Sequence, residues 1–118
     1  MIWYTYPCDE NVLLNQFVQL SSDRSKVEIH SSGKPIGICL EIETNSDTGE
    51  KFAKVYSAGG SGNSAVLGAN WDGSPMQFNV VSSKVVPVAE NGIGWLLPVI
   101  PVSERIIDEI VNVAIYKI

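Results

Sequence analysis

A chain of 118 residues, 45% of them hydrophobic, is long enough to bury a core but short enough to be one domain, and its 13 acidic side chains outnumber its 8 basic ones. The basic residues Arg24, Lys26, Lys34, Lys51, Lys54, Lys84, Arg105 and Lys117 are scattered and form no stripe, which excludes a naked nucleic-acid backbone as the expected partner. Every apolar run is broken by Pro, Gly or charge well short of a bilayer span, and the first residues lack the basic and apolar regions of a secretory signal. The expectation is therefore a soluble product of a cytoplasm with no membrane partner.

Residues 1–10 are predicted as an extended N-terminal arm ahead of a single β domain over residues 11–118. In the arm Trp3, Tyr4 and Tyr6 alternate with Ile2 and Thr5 and are followed by Pro7, a pattern that suits an extended segment better than a helix start. Two readings stay open: an edge strand packed on its own domain, or an aromatic arm that adds to a partner's sheet. Cys8 and Cys39 stand apart, with no C-x-x-C spacing and only one His in the chain, so no metal or cofactor is expected. They read as two thiols of a reducing compartment, with a disulfide as the other possibility.

Asn11–Leu20 could offer a helical face through Val12, Leu13, Phe17 and Leu20, but it is short and uncapped, and a strand over Gln16–Leu20 before the Ser21-Ser22-Asp23 turn is preferred. Lys26–His30 alternates Val27 and Ile29 with Lys26, Glu28 and His30, which places His30 on a solvated face. Pro35–Glu43 is the clearest strand: Ile36, Ile38, Leu40 and Ile42 are predicted on one side, Gly37, Cys39, Glu41 and Glu43 on the other. Glu41 and Glu43 read as a solvated face, because no nucleophile accompanies them to make an acid/base couple.

A hairpin at Asp47-Thr48-Gly49 leads to a strand over Lys51–Ser57. Ser57–Ser64 is predicted to be a loop; its Gly60-Ser61-Gly62 lacks the context of a phosphate cradle. Trp71, beside the Asp72-Gly73 turn, is expected to cover one end of the core. Pro75–Ser82 sets Met76, Phe78 and Val80 against Gln77 and Asn79, and Val85–Ala89 is an edge or bulged strand because it contains Pro87. The stretch Lys84–Pro101 carries more apolar residues than one small core requires. Ser103–Glu109 is predicted as a turn or a short helical turn, and Ile110–Ile118 as a closing strand. About eight short strands with regular turn signals define an all-β chain: a small single-domain barrel or sandwich with an extended arm.

The order Asn15-Gln16-Phe17-Val18-Gln19-Leu20, Pro35-Ile36-Gly37-Ile38, a Gly-rich hairpin with Trp71-Asp72-Gly73, Val85-Val86-Pro87-Val88, Gly94-Trp95-Leu96-Leu97-Pro98 and Val111-Asn112-Val113-Ala114-Ile115-Tyr116 resembles the head-decoration, or capsid cement, proteins of tailed bacteriophages. The resemblance covers the chain from about Asn15 to its end. It implies a β-tulip-like sandwich or barrel forming a homotrimer on the outside of a virion, with Trp95, Leu96 and Leu97 at the subunit interface, the major capsid protein as partner and an N-terminal arm ordered by pairing with capsid strands. Ile2, Trp3, Tyr4 and Tyr6 are then the candidate capsid-binding residues. A carbohydrate- or ligand-binding β-barrel is the alternative, with Trp71, Tyr56 and Asp72 as an exposed stacking platform. An enzyme is not expected, since the single His and the lack of any placeable Ser/His/Asp set leave no catalytic parts.

Overall fold

Short runs of β-prone residues between turn signals build ten strands over the described residues. The structure, a computed structural model, describes residues 2–58, 63–98 and 104–116. The strands are β1 (Ile2–Pro7), β2 (Phe17–Leu20), β3 (Val27–Ile29), β4 (Gly37–Thr44), β5 (Lys51–Ala58), β6 (Asn63–Val66), β7 (Gln77–Val81), β8 (Lys84–Val88), β9 (Gly94–Leu97) and β10 (Ile110–Ile115). They form two five-stranded sheets, β1-β5-β4-β2-β3 and β6-β10-β9-β7-β8, whose strand pairs are all antiparallel. The chain is all-β and sandwich-like rather than one closed barrel, and measures 47 × 25 × 25 Å.

The two sheets repeat one topology. Counting strands from the start of each, both read first, fifth, fourth, second, third. Each sheet also curls until its first strand's end reaches its third strand through a lone parallel bridge, Cys8 to Val27 in one and Leu67 to Val85 in the other. The connecting hydrogen bonds coincide. The Asp9 N–H donates to Val27 O at 2.9 Å where the Gly68 N–H donates to Val85 O at 2.8 Å. Likewise the Cys8 N–H donates to Lys51 O at 3.0 Å where the Leu67 N–H donates to Glu109 O at 2.9 Å.

Register makes the correspondence residue-specific. Val18 opposes Gly37 as Phe78 opposes Gly94; Leu20 opposes Val27 as Val80 opposes Val85; Cys39 opposes Val55 as Leu96 opposes Val113. Because side chains alternate across a strand, matched register means matched faces. The inward side chains of the first unit, Val12, Val18, Val27, Cys39, Ala53 and Val55 with Tyr6 and Cys8 against them, form one apolar cluster. The counterparts of Val18, Val27, Cys39, Ala53, Val55, Tyr6 and Cys8, namely Phe78, Val85, Leu96, Val111, Val113, Ala65 and Leu67, all lie in the other, which Trp71 also joins. Each unit therefore has its own core.

The units are joined by the outer face of the first. Phe17, Ile38 and Tyr56 oppose one another across β2, β4 and β5 and are all fully buried. Phe17 and Ile38 belong to the second unit's cluster, where the Phe17 ring meets the Phe78 ring at 6.1 Å and 56°. Polar bonds seal the joint: Phe17 N–H to Ser83 O at 2.9 Å, Val66 N–H to Asn15 O at 3.0 Å, and Ser83 Oγ to Gln16 Oε1.

Several expectations are corrected. A shift in pairing between Cys39 and Glu41 puts Ile38 and Ile42 on opposite faces of β4, and because both faces of that strand are covered, Cys39, alternating with Ile38 as expected, is buried in the first core instead of lying on an outer face. His30 is buried instead of solvated. Its Nε2 lies 2.7 Å from Gly33 O and its Nδ1 accepts the Ser83 N–H at 3.2 Å, so the proton sits on Nε2, the nitrogen that faces a carbonyl. The predicted Ser57–Ser64 loop loses Ser57 and Ala58 to β5, and Asn63 and Ser64 to β6. Pro87 does stand in an edge strand, β8, and Trp71 is buried with its Nε1–H donated to Pro75 O at 2.8 Å. Gly60-Ser61-Gly62, Val99, Ile100 and Pro101, the Ser103 cap, and Lys117 and Ile118 lie outside the described residues.

Candidate interaction surfaces

Among the described residues no three His, Cys, Asp or Glu side chains are grouped to hold a metal. Recognition chemistry among the described residues includes aromatic groups on two faces and a cleft at the open end of the first unit.

The N-terminal residues are the outer strand of the first sheet. Ile2–Pro7 pairs with Phe52–Ala58 of β5 along its whole length, and among the described residues no strand lies along its other backbone edge up to the Cys8 bridge. The aromatics do not share a face. Trp3 opposes Tyr56 on the outer side, where Lys54 Nζ sits 4.2 Å from the ring centroid and 3.5 Å from Glu41 Oε2. Tyr4 and Tyr6 take the inner side, their rings 6.2 Å apart, with Tyr6 packed on the first core. Trp3 is 46% and Tyr4 56% exposed.

The candidate interface residues Trp95, Leu96 and Leu97 separate by strand alternation. Leu96 is fully buried in the second core, which removes it as a contact for another subunit; Trp95 is 44% exposed and Leu97 half-buried. Trp95 gains a neighbour that the sequence reading did not assign. The Tyr116 ring lies 5.9 Å from it at 41°, and the Tyr116 hydroxyl is bonded to Gln77 Oε1 at 3.3 Å and to Gly92 O at 3.2 Å. Tyr116 directly follows β10, whose Ala114 opposes Trp95, so its position is a cross-strand consequence that no single-strand pattern reveals.

The platform proposed for a carbohydrate ligand is not assembled. Tyr56 and Trp71 are both buried, and only Asp72 of the three is exposed.

The cleft, of about 500 Å³, lies at the open end of the first unit between Pro7, Cys8 and Asp9 at the end of β1, Ser25 and Lys26 before β3, and Gly49–Lys51 before β5. Lys26 Nζ pairs with Asp9 Oδ1 at 3.3 Å across it. On the adjoining turn Asp23 accepts from the Ser25 hydroxyl at 2.7 Å, the Ser25 N–H at 3.0 Å and the Ser21 hydroxyl at 2.8 Å, and these bonds hold its carboxyl down at about 2. The two thiols are free, and burial raises both: Cys8 above its ordinary value, Cys39 to about 11.

No protein-family model, curated protein or solved structure matches the chain.

Proposed function

We propose that the chain is a structural capsid-decoration protein, which binds the outer surface of a phage head as a homotrimer and stabilises the shell without performing a reaction. One observation carries most of the weight: β1 is an outer strand whose second backbone edge pairs with no strand among the described residues, and it carries two exposed aromatics, Trp3 and Tyr4. A free edge offers unpaired N–H and C=O groups to a strand of the capsid protein, and the aromatics add apolar area on both sides of the new pairing. In this reading the aromatic segment is a strand of the body that accepts a partner strand, in place of a loose arm. The exposed Trp95 supplies the contact between copies. A protein that binds only assembled shells adds stability by mass action over many weak sites.

The test mixes the purified chain with expanded heads of tailed phages and images them by electron microscopy. Added density at the three-fold positions, lost in a Trp3→Ala/Tyr4→Ala variant, is expected; undecorated heads overturn the proposal.

A further inference from the structure

The internal joint has two halves, and the repeat supplies an unused counterpart of each. The receiving half is the end of the second unit, where the Val66 N–H binds Asn15 O and Ser83 O accepts the Phe17 N–H. By register Pro7 corresponds to Val66, and counting back from the matched pair Val27 and Val85, Ser25 corresponds to Ser83 and Lys26 to Lys84. Pro7, Ser25 and Lys26 line the open cleft of the first unit. The inserting half is the outer row of the first unit, Phe17 and Ile38, both fully buried in the joint. Its counterpart is Gln77 and Trp95, opposed in the same way across β7 and β9. There Trp95 is 44% exposed and the Tyr116 ring beside it 48% exposed. One molecule therefore presents a spare inserting face on its second unit and a spare receiving end on its first.

We infer that copies of the chain associate head to tail, the Trp95 face of one seating on the cleft end of the next in the manner of the joint within each chain. The contact is heterologous: it uses two different surfaces, and so builds a ring if the rotation closes and an open chain if it does not. It deepens the homo-oligomer part of the function proposed above, resting on that reading only for a contact between copies at Trp95.

The contact is weaker than its internal template for two reasons. Pro7 has no N–H to stand in for that of Val66, and the Gln77 N–H that corresponds to that of Phe17 lies in the ladder pair Gln77–Val88 beside the non-bonded pair Phe78–Pro87, so neither backbone hydrogen bond of the joint is reproduced. The cleft is also more polar, with Asp9 in place of Gly68. Within the chain the joint further gains an effective concentration on the order of millimolar from its covalent connection, which separate copies lack.

The test is sedimentation of the full chain from about 10 μM to about 1 mM, a range that brackets such reversible contacts. Trp95→Glu blocks the inserting face; Ser25→Trp and, independently, Glu50→Trp block the cleft, with circular dichroism confirming that each variant folds. The wild-type average mass is expected to rise at least about twofold across the range, as mass action requires, while each variant alone stays monomeric. Mixing Trp95→Glu with either cleft variant should restore association that stops at the dimer, because each partner keeps one intact and complementary half. A wild type that stays monomeric overturns the inference. So do cleft variants that associate as the wild type does, since Trp95 faces would then be meeting each other. No phage head enters this assay, so its failure leaves the capsid contact through β1 standing, and undecorated heads leave head-to-tail association standing.

Discussion

Phe17 and Val18 are neighbours on β2 that serve different cores, which makes Phe17→Ala a direct probe of the joint between units. The substitution removes a fully buried ring and its tilted contact with Phe78 while leaving the first unit's own interior, where Val18 points, intact. Truncating a buried Phe costs about 3–5 kcal/mol including the cavity left behind. About 0.5–1.5 kcal/mol of that reflects the ring pair itself. At roughly 0.05–0.15 kcal/mol per residue the whole fold holds on the order of 6–18 kcal/mol, so the variant still folds but with a much smaller margin. With a urea dependence of about 2 kcal/mol per molar, the unfolding midpoint, followed by circular dichroism, should fall by about 1.5–2.5 M. Phe17→Ala/Phe78→Ala should lose less than the sum of the two single changes, by about 0.5–3 kcal/mol. A midpoint shift under about 0.3 M, the scale of a surface substitution, would refute the placement of Phe17 in a shared core.

Gly94→Ala should be strongly destabilising, because a Cβ there runs into the Ala114 carbonyl oxygen and the Phe78 ring; Gly37→Ala meets the Tyr56 carbonyl at the equivalent place. A cost of about 1–3 kcal/mol is expected in thermal melts for each. Gly49→Ala, with φ at +76° and open space around it, should cost only about 1 kcal/mol, and equal losses at Gly94 and Gly49 would contradict the close approach. Cys39, its thiol pushed up to about 11 from an ordinary 9.0 by burial, should stay unreactive toward thiol reagents in the native protein and titrate only after unfolding. A raised native value means the neutral form is favoured by folding. Its contribution is thus complete below pH 9.0 and is lost as pH rises through about 11, so urea stability should decline across that window. Native reactivity equal to that of a free thiol would contradict the burial.

Most of the strands were legible in the sequence because period-two alternation survives wherever one face meets a core. Val111, Val113 and Ile115 in β10 and Phe78 in β7 are examples, and Pro87 correctly marked an edge. The irregular pairing in β4 was not legible: a bulge changes which residues face inward without changing which residues are apolar. The burial of His30 depends on Ser83, from the other unit, and no local pattern carries that information. The internal repeat was hidden for a packing reason. Equivalent interior positions hold Val18 and Phe78, Cys39 and Leu96, or Tyr6 and Ala65, so the sum of volumes is solved differently in each core while the backbone plan is kept. Only a few pairs keep their identity, such as Gly37 and Gly94, where the backbone allows no Cβ, and Val27 and Val85 at the closing bridges. Of the candidate surfaces, the aromatic residues of β1 and Trp95 were visible as residues, whereas the cleft exists only because β1, β3 and β5 end together.

The contiguity of each unit along the chain has a consequence for biosynthesis. All the strands of the first sheet lie within the first 58 residues, and none is borrowed from the second. During translation the first unit can complete its own pairing and inner core while β6–β10 are still unmade, since domains generally form as units from the N-terminal side. At that moment Phe17 and Ile38, which the second unit's cluster buries, lie uncovered. The nascent chain thus passes through a stage with a bare aromatic and aliphatic face, and the speed with which the second half arrives governs how long that face is open to neighbouring polysomes or to chaperones.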